Sequence, residues 1–134
     1  MKNSKSIILS LALVLLVTGA VFAQKEAKVI AVVNHADWCP TCQNNGERAK
    51  TTFMENNKDG AIQFTVNNLT NEETIKTSTE ELKKLGVDKP MAAYKGTGMV
   101  YFFDAKTKKL ITQISVAKTS DEIATAMSAA VKGA

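Results

Sequence analysis

The sequence has 134 residues, enough for one domain and too few for two. With 45% hydrophobic and 22% charged residues it is ordinary for a globular protein, which excludes bulk disorder. The net charge is +4, yet no stretch interleaves Lys or Arg with aromatic residues as a nucleic-acid surface would, so nucleic acid is not an expected partner.

The chain opens with Lys2 and Lys5, continues with an apolar run from Ile7 to Val17 broken only by Ser10, and reaches Val21-Phe22-Ala23 ahead of Gln24. That three-part pattern is a secretory signal peptide over residues 1–23. Its apolar core of about 11 residues falls short of the roughly 20 that cross a bilayer, so no stable membrane span is expected after cleavage. The expected domain is residues 24–134, periplasmic or secreted. Lys2 and Lys5 carry two of the four net positive charges, so part of the basic character belongs to the leader.

Val29 to Val33 is a short continuous apolar run rich in β-branched residues, which predicts a strand buried on both faces. Asn34-His35-Ala36-Asp37 reads as a polar loop at the end of that strand, where open α/β sheets place their sites. Trp38-Cys39-Pro40-Thr41-Cys42 follows and holds both cysteines and the one tryptophan. Pro40 suits the first position of a helix, predicted from Pro40 to Asn56 with Gly46 weakening its middle. Ala61 to Asn67 alternates apolar and polar, a strand. Thr70 followed by Glu73 has the form of a capping box, and a helix should run to Leu85 with Ile75, Leu82 and Leu85 inward. Val87 to Gly98 reads as a loop or a short extra strand. Met99 to Phe103 and Leu110 to Val116 predict a hairpin across a charged turn. Thr119 or Ser120 should cap a last helix, Asp121 to Lys132, with Asp121 and Glu122 placed favourably at its positive end.

Two cysteines allow one bridge, closing a loop of four residues. A disulfide stabilises most when it closes a long loop, so this one is better placed as a reagent than as a staple. Exchange needs a thiolate, and a free cysteine with a pKa near 8.5 supplies little of it at neutral pH. Cys39 at the N-terminus of the Pro40 helix would have its negative charge favoured by unpaired amides and the helix dipole. Cys39 is therefore the expected nucleophile, and Cys42, one turn inside, the expected buried resolving thiol. Asp37 would oppose the thiolate, because a nearby negative charge raises a thiol pKa.

Asp37-Trp38-Cys39-Pro40-Thr41-Cys42 resembles the signature of the thioredoxin-like superfamily. Leu85-Gly86-Val87 and the last third of the chain are also similar to that family, so the resemblance spans about residues 28–132. It implies an α/β minimal thioredoxin fold, a four-stranded mixed sheet with helices on both faces. It also implies a redox-active Cys39–Cys42 disulfide, with Trp38, Pro40 and Thr41 shaping the site. The absence of the family's own first strand and helix resembles its stripped-down, exported branch. Three positions depart from the pattern. Val33 stands where the family has a buried acid, and His35 stands where it has an aromatic residue. The family's cis-proline falls by spacing on Thr97 or Gly98, while Pro90 comes some eight residues too early. Either Pro90 is that proline followed by an insertion, or the proline has been lost. With Val33 in place of the acid, His35 is a candidate to take the Cys42 proton.

The function this reading implies is a thiol-disulfide oxidoreductase acting without a cofactor or metal. Its partners would be cysteine-containing exported proteins and a redox recycling partner, and it would work as a monomer. Two alternatives remain open. One is a copper- or zinc-binding module using Cys39, Cys42 and His35, although a structural zinc site wants four ligands. The other is a redox-inert binding domain that keeps the fold.

Overall fold

The computed structural model describes residues 26–134, so the expected leader lies outside the described residues. In chain order the elements are β1 (Val29–His35), α1 (Pro40–Glu55), β2 (Ile62–Asn68) and α2 (Glu72–Leu85), followed by α3 (Asp88–Met91), β3 (Met99–Asp104), β4 (Leu110–Ser115) and α4 (Ser120–Gly133). The strands form one sheet in the order β2-β1-β3-β4. β2 runs parallel to β1 with Val29 opposite Ile62, while β3 runs antiparallel to β1 and to β4. The result is the expected α/β mixed sheet of four strands.

β1 is central, and its alternation divides the core in two. Val29 and Ala31 face one way and join Val100 and Phe102 under Ala49 and Phe53 of α1 and Ile123, Met127 and Ala130 of α4. Ile30 and Val32 face the other way, with Tyr101 and Phe103, under Leu82 of α2, Val87 and Met91. Helices thus cover both faces, and the apolar run of β1 is continuous because neither face meets water. Phe102 and Phe103 are fully buried on opposite faces. Each contributes on the order of 2–3 kcal/mol by removal from water.

Four details differ from the sequence reading. β1 extends through Asn34 and His35, which pair with Asn67 and Asn68 rather than opening a loop. The cap of α2 lies one residue later than expected: Asn71 accepts the Thr74 N–H at 3.0 Å, and Thr74 Oγ1 accepts the Asn71 N–H at 3.0 Å. Thr70 is used elsewhere, its hydroxyl accepting the Asp37 N–H at 3.0 Å. Ile75, expected inward, is exposed, whereas Leu82 is buried. Finally, the stretch after Gly86 holds the short helix α3 instead of a loop or strand, and Met91 plugs that helix into the second core. Tyr94 then stacks on Tyr101 with ring centroids 4.7 Å apart.

Candidate functional site

Everything of chemical interest gathers where β1 ends and α1 begins. The chain leaves His35, turns through Ala36 and Asp37, and enters the helix at Cys39, with the Cys39 N–H donating to the Ala36 carbonyl at 3.1 Å. Cys39 is the N-cap of α1, and Pro40 takes the first helical turn, where its missing N–H costs nothing. The side chain that fills the capping role is a thiol: Cys39 Sγ accepts the Cys42 N–H at 3.2 Å. Cys42, one turn on, offers its own Sγ–H toward the Asn34 carbonyl at 3.9 Å. Both cysteines are buried free thiols, the reduced form of the pair.

The two thiols are tuned in opposite directions. Burial pushes Cys39 up, but hydrogen bonds from the Cys42 and Thr97 side chains and from the backbone of Cys42 and Thr41 outweigh it, and the net shift is downward. Burial likewise pushes Cys42 up, and here the neighbouring Cys39 adds to the rise while backbone donors only partly oppose it. One sulfur is held toward thiolate and the other toward thiol, an arrangement in which attack begins at Cys39.

The remaining sequence candidates separate into those at the thiols and those away from them. Thr97 and Gly98 lie at the site. Gly98 has φ of 77°, its N–H donates to the Asn34 carbonyl at 2.8 Å, and a β-carbon there would stand 3.8 Å from Cys39 Sγ. Thr41 also packs against Gly98, its Cγ2 2.9 Å from that same position. Pro90, by contrast, is built into α3 beside the second core, and no peptide bond among the described residues is cis. Pro90 is thus not a cis-proline, and Gly98 is the residue of that region that lies against Cys39. Trp38 is 60% exposed, and its indole N–H donates to the Thr70 carbonyl at 3.2 Å. His35 is hydrogen-bonded through Nε2 to Asp37 Oδ1 at 2.9 Å, and it lines the same groove as Cys42. Asp37 is 76% exposed, so solvent screens its charge. No group of three or more potential metal-ligating side chains occurs among the described residues.

Sequence reasoning missed Asn34. It is fully buried, and its side chain bonds to the Tyr94 and Gly96 carbonyls and to Asn67. The available signal was a lone Asn at the end of an apolar strand, which reads equally well as the first residue of a loop. An open groove of about 770 Å³ also reaches Cys42. Its walls include Val33, Ala49, Phe53, Phe64 and Val66. Val33 and Val66 sit opposite each other on β1 and β2, and Glu47, Lys50 and His35 also line this groove.

This fold and this thiol pair define the class: an α/β domain with a four-stranded mixed sheet and a Cys-x-x-Cys at the first strand–helix turn. The sequence matches no protein-family model and no curated protein sequence. Among solved structures, the chain is similar to Trxlp from Edwardsiella tarda EIB202, with 14% identity over 76% of this chain and 84% of that one and a TM-score of 0.49. A Malassezia sympodialis thioredoxin (Mala s 13) has 14% identity, covering 80% and 81% of the two chains, with a TM-score of 0.47. Thioredoxin f2 of Chlamydomonas reinhardtii has 18% identity, covering 76% and 79%, with a TM-score of 0.46. At that distance the chemistry rests on this chain's own residues.

Proposed function

We propose that the protein is a thiol-disulfide oxidoreductase that exchanges disulfides with cysteine-containing exported proteins through Cys39 and Cys42. The observation that carries this reading is the Cys39 sulfur at the N-cap of α1, accepting a main-chain amide and held below the ordinary thiol range. A structural cysteine gains nothing from such tuning, whereas a nucleophile does.

In the reducing direction, the Cys39 thiolate attacks one sulfur of a substrate disulfide. The substrate S–S bond breaks, its second sulfur leaves as a thiolate, and a mixed disulfide forms. Cys42 then loses its proton and attacks the Cys39 sulfur. The mixed disulfide breaks, the substrate leaves fully reduced, and the protein retains a Cys39–Cys42 disulfide. The oxidising direction is the same sequence reversed. Val33 offers no base for the Cys42 proton, and the departing substrate thiolate is itself a base that can take it. The protein works as a monomer in the periplasm or outside the cell, and a second redox protein restores its starting state.

Insulin reduction tests the assignment. Cys39→Ser should abolish it, and Cys42→Ser should accumulate mixed disulfides with substrate visible on non-reducing gels. Undiminished turnover by Cys39→Ser would sink the assignment.

A further inference from the structure

Asn34 occupies the last stretch of the central strand and is 0% exposed. A buried amide costs roughly 1–3 kcal/mol for each polar group left unpaired, so its partners are the reason it can be there. Its Nδ2 donates to the Tyr94 carbonyl at 2.9 Å and to the Gly96 carbonyl at 3.0 Å, and these two acceptors fix which end of the amide is nitrogen. Its Oδ1 accepts from Asn67 Nδ2 at 2.9 Å, across the parallel β1–β2 pair. Its main-chain carbonyl takes the Gly98 N–H at 2.8 Å and faces the Cys42 thiol at 3.9 Å. One residue thus ties together the resolving cysteine, strand β2 and the whole Tyr94–Gly98 segment.

That segment brings Gly98 up to Cys39 and carries Thr97, one of the groups that act on the Cys39 sulfur. It holds two glycines, Gly96 and Gly98, and no proline to stiffen it. Between Tyr94 and the strand β3 it is fastened from one side by the Asn34 amide and carbonyl, and from the other by Val116, whose N–H donates to the Gly98 carbonyl at 2.9 Å.

We propose that the Asn34–Asn67 amide pair is a positioning element that holds the Thr97–Gly98 turn against Cys39 and thereby sets the reactivity of that thiol. The inference rests on the thiol-disulfide reading above, since it assigns the pair a role in that same site. Asn34 and Asn67 do not act on the substrate. Asn67 locks the Asn34 amide, Asn34 locks the turn, and the turn sets Gly98, with Thr97 beside it, against Cys39. The other ionisable groups at this end of the sheet, Cys42, His35 and Asp37, are left in place by every variant below.

The test reads the thiol directly, without a protein substrate. The rate of Cys39 alkylation by iodoacetamide is followed against pH in the reduced protein, with the label located by mass spectrometry. Asn67→Ala and Asn34→Ala should each slow alkylation at neutral pH by about three- to tenfold and move the midpoint of the profile to higher pH, as expected for partial loss of a hydrogen bond to a charged group. Thr97→Val should do the same, and adding Asn67→Ala to it should change the rate by less than about twofold, because coupled residues are not additive. Should Asn34→Ala fail to fold, Asn67→Ala carries the test alone. A wild-type pH profile in folded Asn67→Ala overturns the proposal, and so does an undiminished slowing on top of Thr97→Val. Failure of the wild-type protein to reduce insulin would overturn the redox assignment instead, and it would leave these profiles unaffected.

Discussion

At the scale of single residues, Gly98 shows how tightly the site is built. Its φ of 77° lies in the left-handed region that residues with a β-carbon rarely adopt. A β-carbon there would also stand 2.9 Å from Thr41 Cγ2 and 3.1 Å from Thr41 Cβ. Gly60 has a similar φ of 70° but nothing within 4 Å of the equivalent position. Gly60→Ala should therefore cost about 1 kcal/mol, the conformational penalty alone. Gly98→Ala should cost about 2–4 kcal/mol, because crowding against Thr41 is added to that penalty. Urea denaturation of the two variants separates the contributions, and equal losses would mean that the turn does not press on α1. Legibility follows the same division. Cys39 and Cys42 could be read because they are a pair at a predictable helix start. Asn34 and Asn67 could not, since burial of an amide depends on partners 33 to 62 residues away in the chain.

Elements were legible wherever a local rule decides them. The strands follow from alternation or continuous apolar runs, and α4 follows from its cap. Thr119 accepts the Glu122 N–H at 3.2 Å, while Glu122 Oε2 accepts the Thr119 N–H at 2.9 Å. The box on α2 was misplaced by one residue because Thr70-Asn71 offers two adjacent caps. The fold resolves the choice by spending Thr70 on Asp37 and Trp38 at the thiol end. α3 was invisible because four residues show no period. The α4 cap gives a pH prediction. Hydrogen bonds from the Thr119 backbone, then its side chain, hold the Glu122 carboxyl below its ordinary value of 4.5. A carboxyl with a depressed folded-state pKa contributes stability that is present above the unfolded value and lost as pH falls through the folded one. Thermal midpoints measured from pH 6 down to about pH 3 should thus fall less steeply in Glu122→Gln than in wild type, since Gln keeps the capping geometry but does not titrate. An unchanged slope would place the acid sensitivity elsewhere, with Asp104 next in line, because its carboxyl is lowered by the Thr107 and Lys106 amides.

Across the whole molecule, the sheet with its two cores is a rigid base that holds one reactive end, and the redox state of that end should feed back on the stability of the base. In the reduced fold, the Cys39 sulfur accepts an amide hydrogen bond and is stabilised as thiolate. Oxidation removes that interaction and substitutes a bridge across two intervening residues, which restrains the unfolded chain only slightly. The reduced protein should therefore be the more stable form at neutral pH, and the pair should be an oxidant rather than a resistant bridge, because stabilising the dithiol raises the potential. The pH dependence has a definite sign. Cys39 has a folded pKa below its ordinary value of 9.0, so its contribution grows as pH rises from below the folded value toward 9.0 and is lost on acidification. Cys42 is shifted upward, so its contribution is already complete below that range and does not cancel the trend. Urea midpoints of the reduced and oxidised proteins should accordingly separate more at pH 8 than at pH 5, with the reduced form ahead. An oxidised protein that is the more stable at both pH values would make the bridge a staple, and would favour the redox-inert domain over the exchange enzyme.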